Sequence, residues 1–100
     1  MSASAEAQRY ALVWTATFAR TARKFLRRHP ELAGIFRDAI EQLETDPDAP
    51  RLRRHPLQGR HAGKFSARLT YEHRIVFLLR VREREVVLLD IGSHDEVYRG

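Results

Sequence analysis

The stretch KFSARLTYEHRIVFLLRVREREVVLLDI, residues 64–91, decides the fold because it carries three strand-like segments in close succession. Isoleucine, valine, leucine and phenylalanine dominate residues 74–82 and 85–91, and β-branched and aromatic residues favour extended backbone. Two short polar breaks, residues 71–73 and 83–84, separate the segments. Regular short spacing of this kind predicts an antiparallel meander with strands over 64–70, 74–82 and 85–91.

Apolar and polar residues alternate along the first of these strands. Phe65, Ala67 and Leu69 fall on one face, because successive side chains of a strand point to opposite sides. We expect this face to pack against the core and the other face to be open and basic. The cations on the open face are Lys64, Arg68 and Arg74.

Two helices are predicted before the strands. Residues 9–14 form a short strand, and Thr15 or Thr17 can cap the helix that follows it. Pro30 separates this first helix from a second one, whose apolar residues recur at helical spacing between Leu32 and Leu43. The order β-α-α-β-β-β predicts an α+β fold in which a helical hairpin packs on an antiparallel sheet. Residues 51–62 are predicted to be a loop.

Length and composition indicate one small domain. We expect residues 1–8 to be a flexible lead-in and residues 9–100 to form a single domain. The chain has no cysteine, which excludes disulfides, a thiol nucleophile and cysteine-type zinc sites. There is no secretory signal and no apolar run of about 20 residues, so a cytoplasmic protein without a membrane segment is expected.

The net charge of +5 is distributed in blocks. Residues 20–28 and 51–64 each hold five lysine or arginine residues and no acid, whereas residues 31–48 hold six acids and one arginine. Segregated charge suggests a basic face for nucleic acid or for an acidic protein partner, although basic residues can also serve solubility alone.

Two polar clusters, residues 55–74 and 92–99, contain the residue types that RNA cleavage needs. Attack by a 2′-hydroxyl requires proton transfer, for which histidine is suited, and cations beside the phosphate, for which arginine is suited. Each residue also has a structural explanation: a loop histidine, a helix cap or a solvated strand residue. No HxH or HxxxH pair is present, so neither a metal site nor a cofactor is expected.

The chain resembles the RelE/ParE superfamily of bacterial toxins, and within it the YafQ- and YoeB-like mRNA interferases. Three segments carry the resemblance: HPLQG (55–59), GKFSARLTYEHRIVF (63–77) and LLDIGSHDEVY (88–98). The resemblance extends over nearly the whole chain and implies a microbial-RNase-like fold. It also implies that the protein is the toxin of a type II toxin–antitoxin system and that it cleaves mRNA in the ribosomal A site without a metal.

The resemblance also implies roles for individual residues. His55 and His94 would transfer protons, assisted by Glu72. Arg68 and Arg74 would stabilise the phosphate, and Tyr98 would orient a nucleotide. The positions expected to bind RNA are Arg54, Arg60 and Lys64. Two residues depart from the YafQ pattern, since arginine replaces histidine at 68 and glutamate replaces aspartate at 72. We expect His55, His94 and Arg74 to meet in one shallow groove.

The expected partners are an acidic antitoxin, the ribosome with its mRNA, and operator DNA only through the toxin–antitoxin complex. Two alternatives stay open on this evidence. One is a ParE-like toxin that inhibits DNA gyrase and has no nuclease activity. The other is an inactive binding module that acts as a repressor together with its antitoxin.

Overall fold

A five-stranded sheet organises the chain in the computed structural model, which describes residues 9–99 except the side chains of Arg60, Tyr98 and Arg99. The strands are β1 (Ala11–Trp14), β2 (His55–Pro56), β3 (Phe65–Arg68), β4 (His73–Arg80) and β5 (Glu85–Ser93). Their order across the sheet is β1-β5-β4-β3-β2. The helices are α1 (Ala16–Arg28), α2 (Ala33–Thr45) and α3 (His94–Arg99). The predicted lead-in, residues 1–8, lies outside the described residues.

The β4–β5 hairpin forms the centre of the sheet, as the apolar runs predict. Ile75 pairs with Ile91, and Phe77 pairs with Leu88, with a bulge between Val76 and Phe77. Residues 81–84 form the connecting turn, in which Arg84 adopts the left-handed region with φ 54°. The side chains of Phe77 and Leu88 are completely buried. This hairpin therefore supplies most of the apolar face on which the helices pack.

Helix α1 begins at the predicted cap. The Thr15 hydroxyl accepts a hydrogen bond from the Phe18 N–H at 3.1 Å and donates one to the Leu88 carbonyl at 2.7 Å. The helix ends at Arg28, because the next residue, His29, precedes a proline and therefore resists helical backbone. One threonine thus fixes both the start of α1 and its position against β5.

Helix α2 follows a single 3₁₀ turn, Pro30–Leu32, and packs against α1 through aromatic rings. The Phe36 ring lies 6.3 Å from that of Phe18 and 6.4 Å from that of Phe25, between centroids. Leu43, near the end of α2, is completely buried. These contacts confirm the predicted helical hairpin on one face of a mostly antiparallel sheet.

Two features of the sheet differ from the prediction. Strand β1 pairs with β5 in parallel orientation, a direction that the predicted helical hairpin on an antiparallel sheet does not include. Its direction depends on where the chain re-enters the sheet about seventy residues later, and local periodicity carries no information about that. Strand β2 lies within the predicted loop, because two residues that include Pro56 are too few to show alternation.

Alternation assigns each strand residue to one of two faces. Cross-strand partners share a face, so Ala67, Ile75 and Ile91 lie on the face covered by α1 and α2, which we call the helix face. Ser66, Arg68, Arg74 and Val76 lie on the opposite face, which we call the second face. Ser66 and Val76 are buried there, so the second face is less open than predicted.

Helix α3 packs against β4 and β5 and brings the C-terminal cluster to the end of the sheet. Its Val97 side chain is buried, and burial of this apolar surface stabilises the packing of α3 on the sheet. Within residues 9–99, no helix combines the length and the apolar character needed to cross a membrane.

Candidate active site

An open cavity of about 440 Å³ lies at the end of the sheet, where β3 stops, β4 starts and β5 runs into α3. This volume falls within the usual range for ligand pockets, roughly 300–1,000 Å³. Its lining residues come from these four elements and from the turn between β3 and β4: Arg68, Tyr71, Glu72, Arg74, Ser93, His94 and Asp95. Four of the six predicted catalytic residues are therefore neighbours in one cavity, namely Arg68, Glu72, Arg74 and His94.

Two arginines lie side by side in the lining of this cavity. Arg68 and Arg74 are direct cross-strand partners on β3 and β4, so their Cβ atoms are roughly 5 Å apart and on the second face. The Arg68 guanidinium also lies over the Tyr71 ring, 5.6 Å from its centroid. Among the described residues, no carboxylate forms an ion pair with either guanidinium. Like charges in this position repel, so the pair is suited to binding an anion.

His94 is the first residue of α3, and its position follows from how β5 ends. Its backbone N–H donates a hydrogen bond to the Glu72 carbonyl at 3.2 Å, which ties α3 to the turn between β3 and β4. Its Nδ1 lies 3.9 Å from Oδ1 of Asp95, and the imidazole is largely exposed. A solvent-accessible imidazole that lines the same cavity as two guanidinium groups could exchange protons with an anion bound there.

The backbone of Glu72 is held at the cavity by a threonine-centred turn. The Thr70 hydroxyl accepts hydrogen bonds from the N–H groups of Glu72 at 3.2 Å and His73 at 3.1 Å. The same hydroxyl lies 2.8 Å from Nδ1 of His73. Serine and threonine favour turns for this reason, so the sequence places Glu72 at the rim of the cavity through Thr70.

His55 does not line this cavity, which differs from the expected meeting of His55, His94 and Arg74. It lies on β2 opposite Ser66 and lines a separate hollow with Pro56, Leu57, Gln58 and His61. Strand β3 separates it from β4, so its Cα is roughly 12 Å from that of Arg74. The register nevertheless places His55 on the second face with both arginines.

The other predicted positions have different surroundings. Arg54 forms an ion pair with Asp48, with Nη2 3.0 Å from Oδ1, and its guanidinium lies 4.6 Å from the centroid of the Phe65 ring. The Lys64 carbonyl accepts a hydrogen bond from the Leu57 N–H at 2.9 Å, which holds the loop after β2. The side chains of Arg60 and Tyr98 lie outside the described residues.

Three residues of the cavity were not predicted as site residues: Tyr71, Ser93 and Asp95. The sequence could have indicated them, because each is adjacent to Glu72 or His94. Residues that are adjacent in a turn, or in the first turn of a helix, lie in the same part of the structure. Among the described residues, no three histidine or acidic side chains are close enough to hold a metal ion.

Comparison with solved structures finds that the chain is similar to bacterial toxins. No protein-family model and no curated protein matches the sequence. The YoeB/ParE toxin from Agrobacterium tumefaciens superimposes with a TM-score of 0.72 at 26% identity, over 84% of this chain and 98% of that one. The toxin–antitoxin complex RelBE2 from Mycobacterium tuberculosis superimposes with a TM-score of 0.67 at 28% identity, over 86% of this chain and 99% of that one. The E. coli DinJ–YafQ toxin–antitoxin complex superimposes with a TM-score of 0.74 at 16% identity, over 90% of this chain and 98% of that one.

These matches confirm the resemblance to the RelE/ParE toxin superfamily and its fold over most of the chain. RelBE2 and DinJ–YafQ are themselves complexes of a toxin with its antitoxin.

Proposed function

We propose that the protein is a ribosome-dependent mRNA interferase, the toxin of a type II toxin–antitoxin system. The observation that carries the proposal is the Arg68–Arg74 pair, which faces the same cavity as His94 and has no carboxylate partner among the described residues. A phosphodiester in the cavity would relieve the repulsion between the two cations and accept their hydrogen bonds. A purely structural arginine pair would have no need for the adjacent imidazole and carboxylate.

The proposed reaction is attack of the 2′-oxygen on the neighbouring phosphorus. A new O2′–P bond forms while the bond from phosphorus to the 5′-oxygen breaks, which gives a 2′,3′-cyclic phosphate and a 5′-hydroxyl. One group removes the 2′-proton and another returns a proton to the leaving oxygen. Arg68 and Arg74 stabilise the charge that develops on the phosphoryl oxygens.

His94 and Glu72 are the proton carriers that this cavity offers. One acts as base and the other as acid, or both exchange protons through water at the cavity rim. His55 is farther away, on the same face of the sheet, and we assign it to the RNA strand beyond the cleaved bond. Tyr98 is retained as the residue that orients a nucleotide, and Lys64 and Arg60 as contacts to the RNA backbone.

The partners follow from the charge distribution. The cations of α1 are all exposed: Arg20, Arg23, Lys24, Arg27 and Arg28. We propose that this surface, which we call the basic face of α1, contacts ribosomal RNA or the acidic antitoxin. Operator DNA would be bound only through the complex with the antitoxin, in the cytoplasm.

Mapping of mRNA 5′ ends in a cell-free translation system tests the proposal. We expect cuts aligned with codons in the presence of the protein, and their loss in the Arg74→Ala and His94→Ala variants. Absence of new 5′ ends at growth-inhibiting concentrations would contradict the interferase. A supercoiling assay run in parallel distinguishes the ParE-like alternative, because only a gyrase inhibitor would change the topology of plasmid DNA.

A further inference from the structure

Glu96 follows His94 by two residues in α3, does not line the cavity and folds back on the start of its own helix. The Ser93 N–H donates a hydrogen bond to Oε1 of Glu96 at 2.8 Å. In return the Glu96 N–H donates one to the Ser93 hydroxyl at 3.2 Å. Serine followed three residues later by glutamate, with both bonds made, is a capping box, which satisfies the otherwise unpaired N–H groups of a helix start.

The backbone around Gly92 leaves room for this carboxylate. A Cβ atom at Gly92 would lie 2.8 Å from Oε1 of Glu96 and 3.2 Å from its Cβ, so any larger residue would push the side chain away. Arg28 of α1 adds a longer contact, with Nη1 3.9 Å from Oε2 of Glu96. The Ser93 N–H stabilises the charged form and lowers the pKa of Glu96 below its ordinary value.

Helix α3 needs such a support because it has only six residues. Isolated helices of this length are unstable in water, so the helix depends on its cap and on its packing. His94 is its first residue and lies between Ser93 and Glu96, the two members of the capping box. Loss of the cap therefore loosens the backbone that carries the imidazole.

We propose that Glu96 is a positioning residue, which holds the His94 imidazole in the cavity by capping α3. The inference rests on the proposed function in one respect only, that His94 transfers a proton in RNA cleavage. Glu96 itself touches neither RNA nor the reacting atoms. Because glutamine keeps an acceptor oxygen for the Ser93 N–H and loses only the part of the bond that depends on charge, it should preserve most of the cap.

The test compares Glu96→Ala, Glu96→Gln and Ser93→Ala in the purified full-length protein. Side-chain NMR signals of His94 and amide exchange in α3 report its position without RNA, and cleavage rates on translating ribosomes report function. We expect Glu96→Ala and Ser93→Ala to shift the His94 signals and to lower the cleavage rate by about tenfold, the size of a typical cap. Glu96→Gln should restore the signals and bring the rate to within about twofold of wild type.

The controls separate the cap from other effects. Arg28→Ala removes the ion pair and should leave the His94 signals in place, because an exposed pair at this distance contributes little. Unchanged His94 signals in both Glu96→Ala and Ser93→Ala would overturn the inference, and so would a failure of glutamine to restore them. If the wild-type protein cuts no RNA, the proposed function fails, while the spectra still decide whether Glu96 holds His94.

Discussion

The two arginines of the cavity have a like charge as their nearest cross-strand neighbour, which is unusual for residues at the end of a hairpin. Direct opposition of like charges costs stability in an antiparallel pair. Arg68 and Arg74 are opposed in this way, and among the described residues no carboxylate forms an ion pair with either of them. Such an arrangement is typical of sites built for an anionic ligand, where stability is given up for binding.

Replacement of Arg74 by alanine should lower the rate of mRNA cleavage by about 100-fold, since a preorganised donor to the phosphate is lost. Lysine at this position should recover part of the rate, because it keeps the charge but not the planar fork. The measurement is the rate of mRNA cleavage in a cell-free translation system. Arg82→Ala in the exposed 81–84 turn is the matched control, and an equal loss there would contradict a site-specific role.

Leu43 fills the core at the end of α2 and is completely buried. Leu43→Ala should lower the free energy of unfolding by about 2–5 kcal/mol, because a cavity replaces buried side-chain atoms. Urea denaturation followed by circular dichroism measures the change. Ile35 is half-exposed on the same helix, so Ile35→Ala should cost less than about 1 kcal/mol.

At the scale of elements, the start of α1 depends on Thr15, whose hydroxyl both caps the helix and bonds to β5. Thr15→Ala should lower the free energy of unfolding by about 1–2 kcal/mol, in the range measured for N-caps. Thr15→Ser keeps the hydroxyl and should recover most of this loss. Thermal melting of the three proteins checks the order, and an alanine variant as stable as wild type would show that the cap is not used.

The stability of α3 should depend on pH through Glu96. Its pKa is lower in the folded protein than the ordinary value of 4.5, chiefly because the Ser93 N–H bonds to the carboxylate. The contribution is therefore fully present above the unfolded value and is lost as the pH falls through the folded one. Amide exchange in α3, measured from about pH 5 downward, should accelerate in wild type beyond the intrinsic pH dependence of exchange. The Glu96→Gln variant should lack this extra change.

At the scale of the whole molecule, charge is divided between surfaces. The basic face of α1 and the cavity arginines carry cations, while acids are concentrated in and around α2. A polyanion would therefore be attracted to the basic surfaces and repelled from α2. An acidic protein partner would be attracted to the same surfaces and would compete there with a polyanion.

Affinity for RNA should fall steeply with salt. For a single-stranded RNA with 2′-O-methyl groups, which cannot be cut, the logarithm of the association constant should decrease linearly with the logarithm of salt concentration. Arg68→Ala should make that slope shallower by about 0.7, the contribution of one phosphate contact. Fluorescence anisotropy measures the slope, and Arg82→Ala should leave it unchanged.

Much of the fold could be predicted from local patterns. The alternation around Phe65 and Ala67 identified the helix face, and the two threonines considered as caps included Thr15. The direction of β1 and the presence of β2 could not be predicted, because both depend on hydrogen bonds to strands that are distant in sequence. The site was predicted in the same uneven way: Arg68, Glu72, Arg74 and His94 share a cavity, whereas His55 lies in another hollow.

The sequence by itself determined the order of the elements, which side chains are apolar on each of them, and the separation of basic from acidic segments. These properties follow from periodicity and composition, which act over a few residues. Only the tertiary structure decided that Arg68 and Arg74 oppose each other and that His94 joins them while His55 does not. The physical reason is that such meetings depend on strand order and register, which the packing of the whole chain sets.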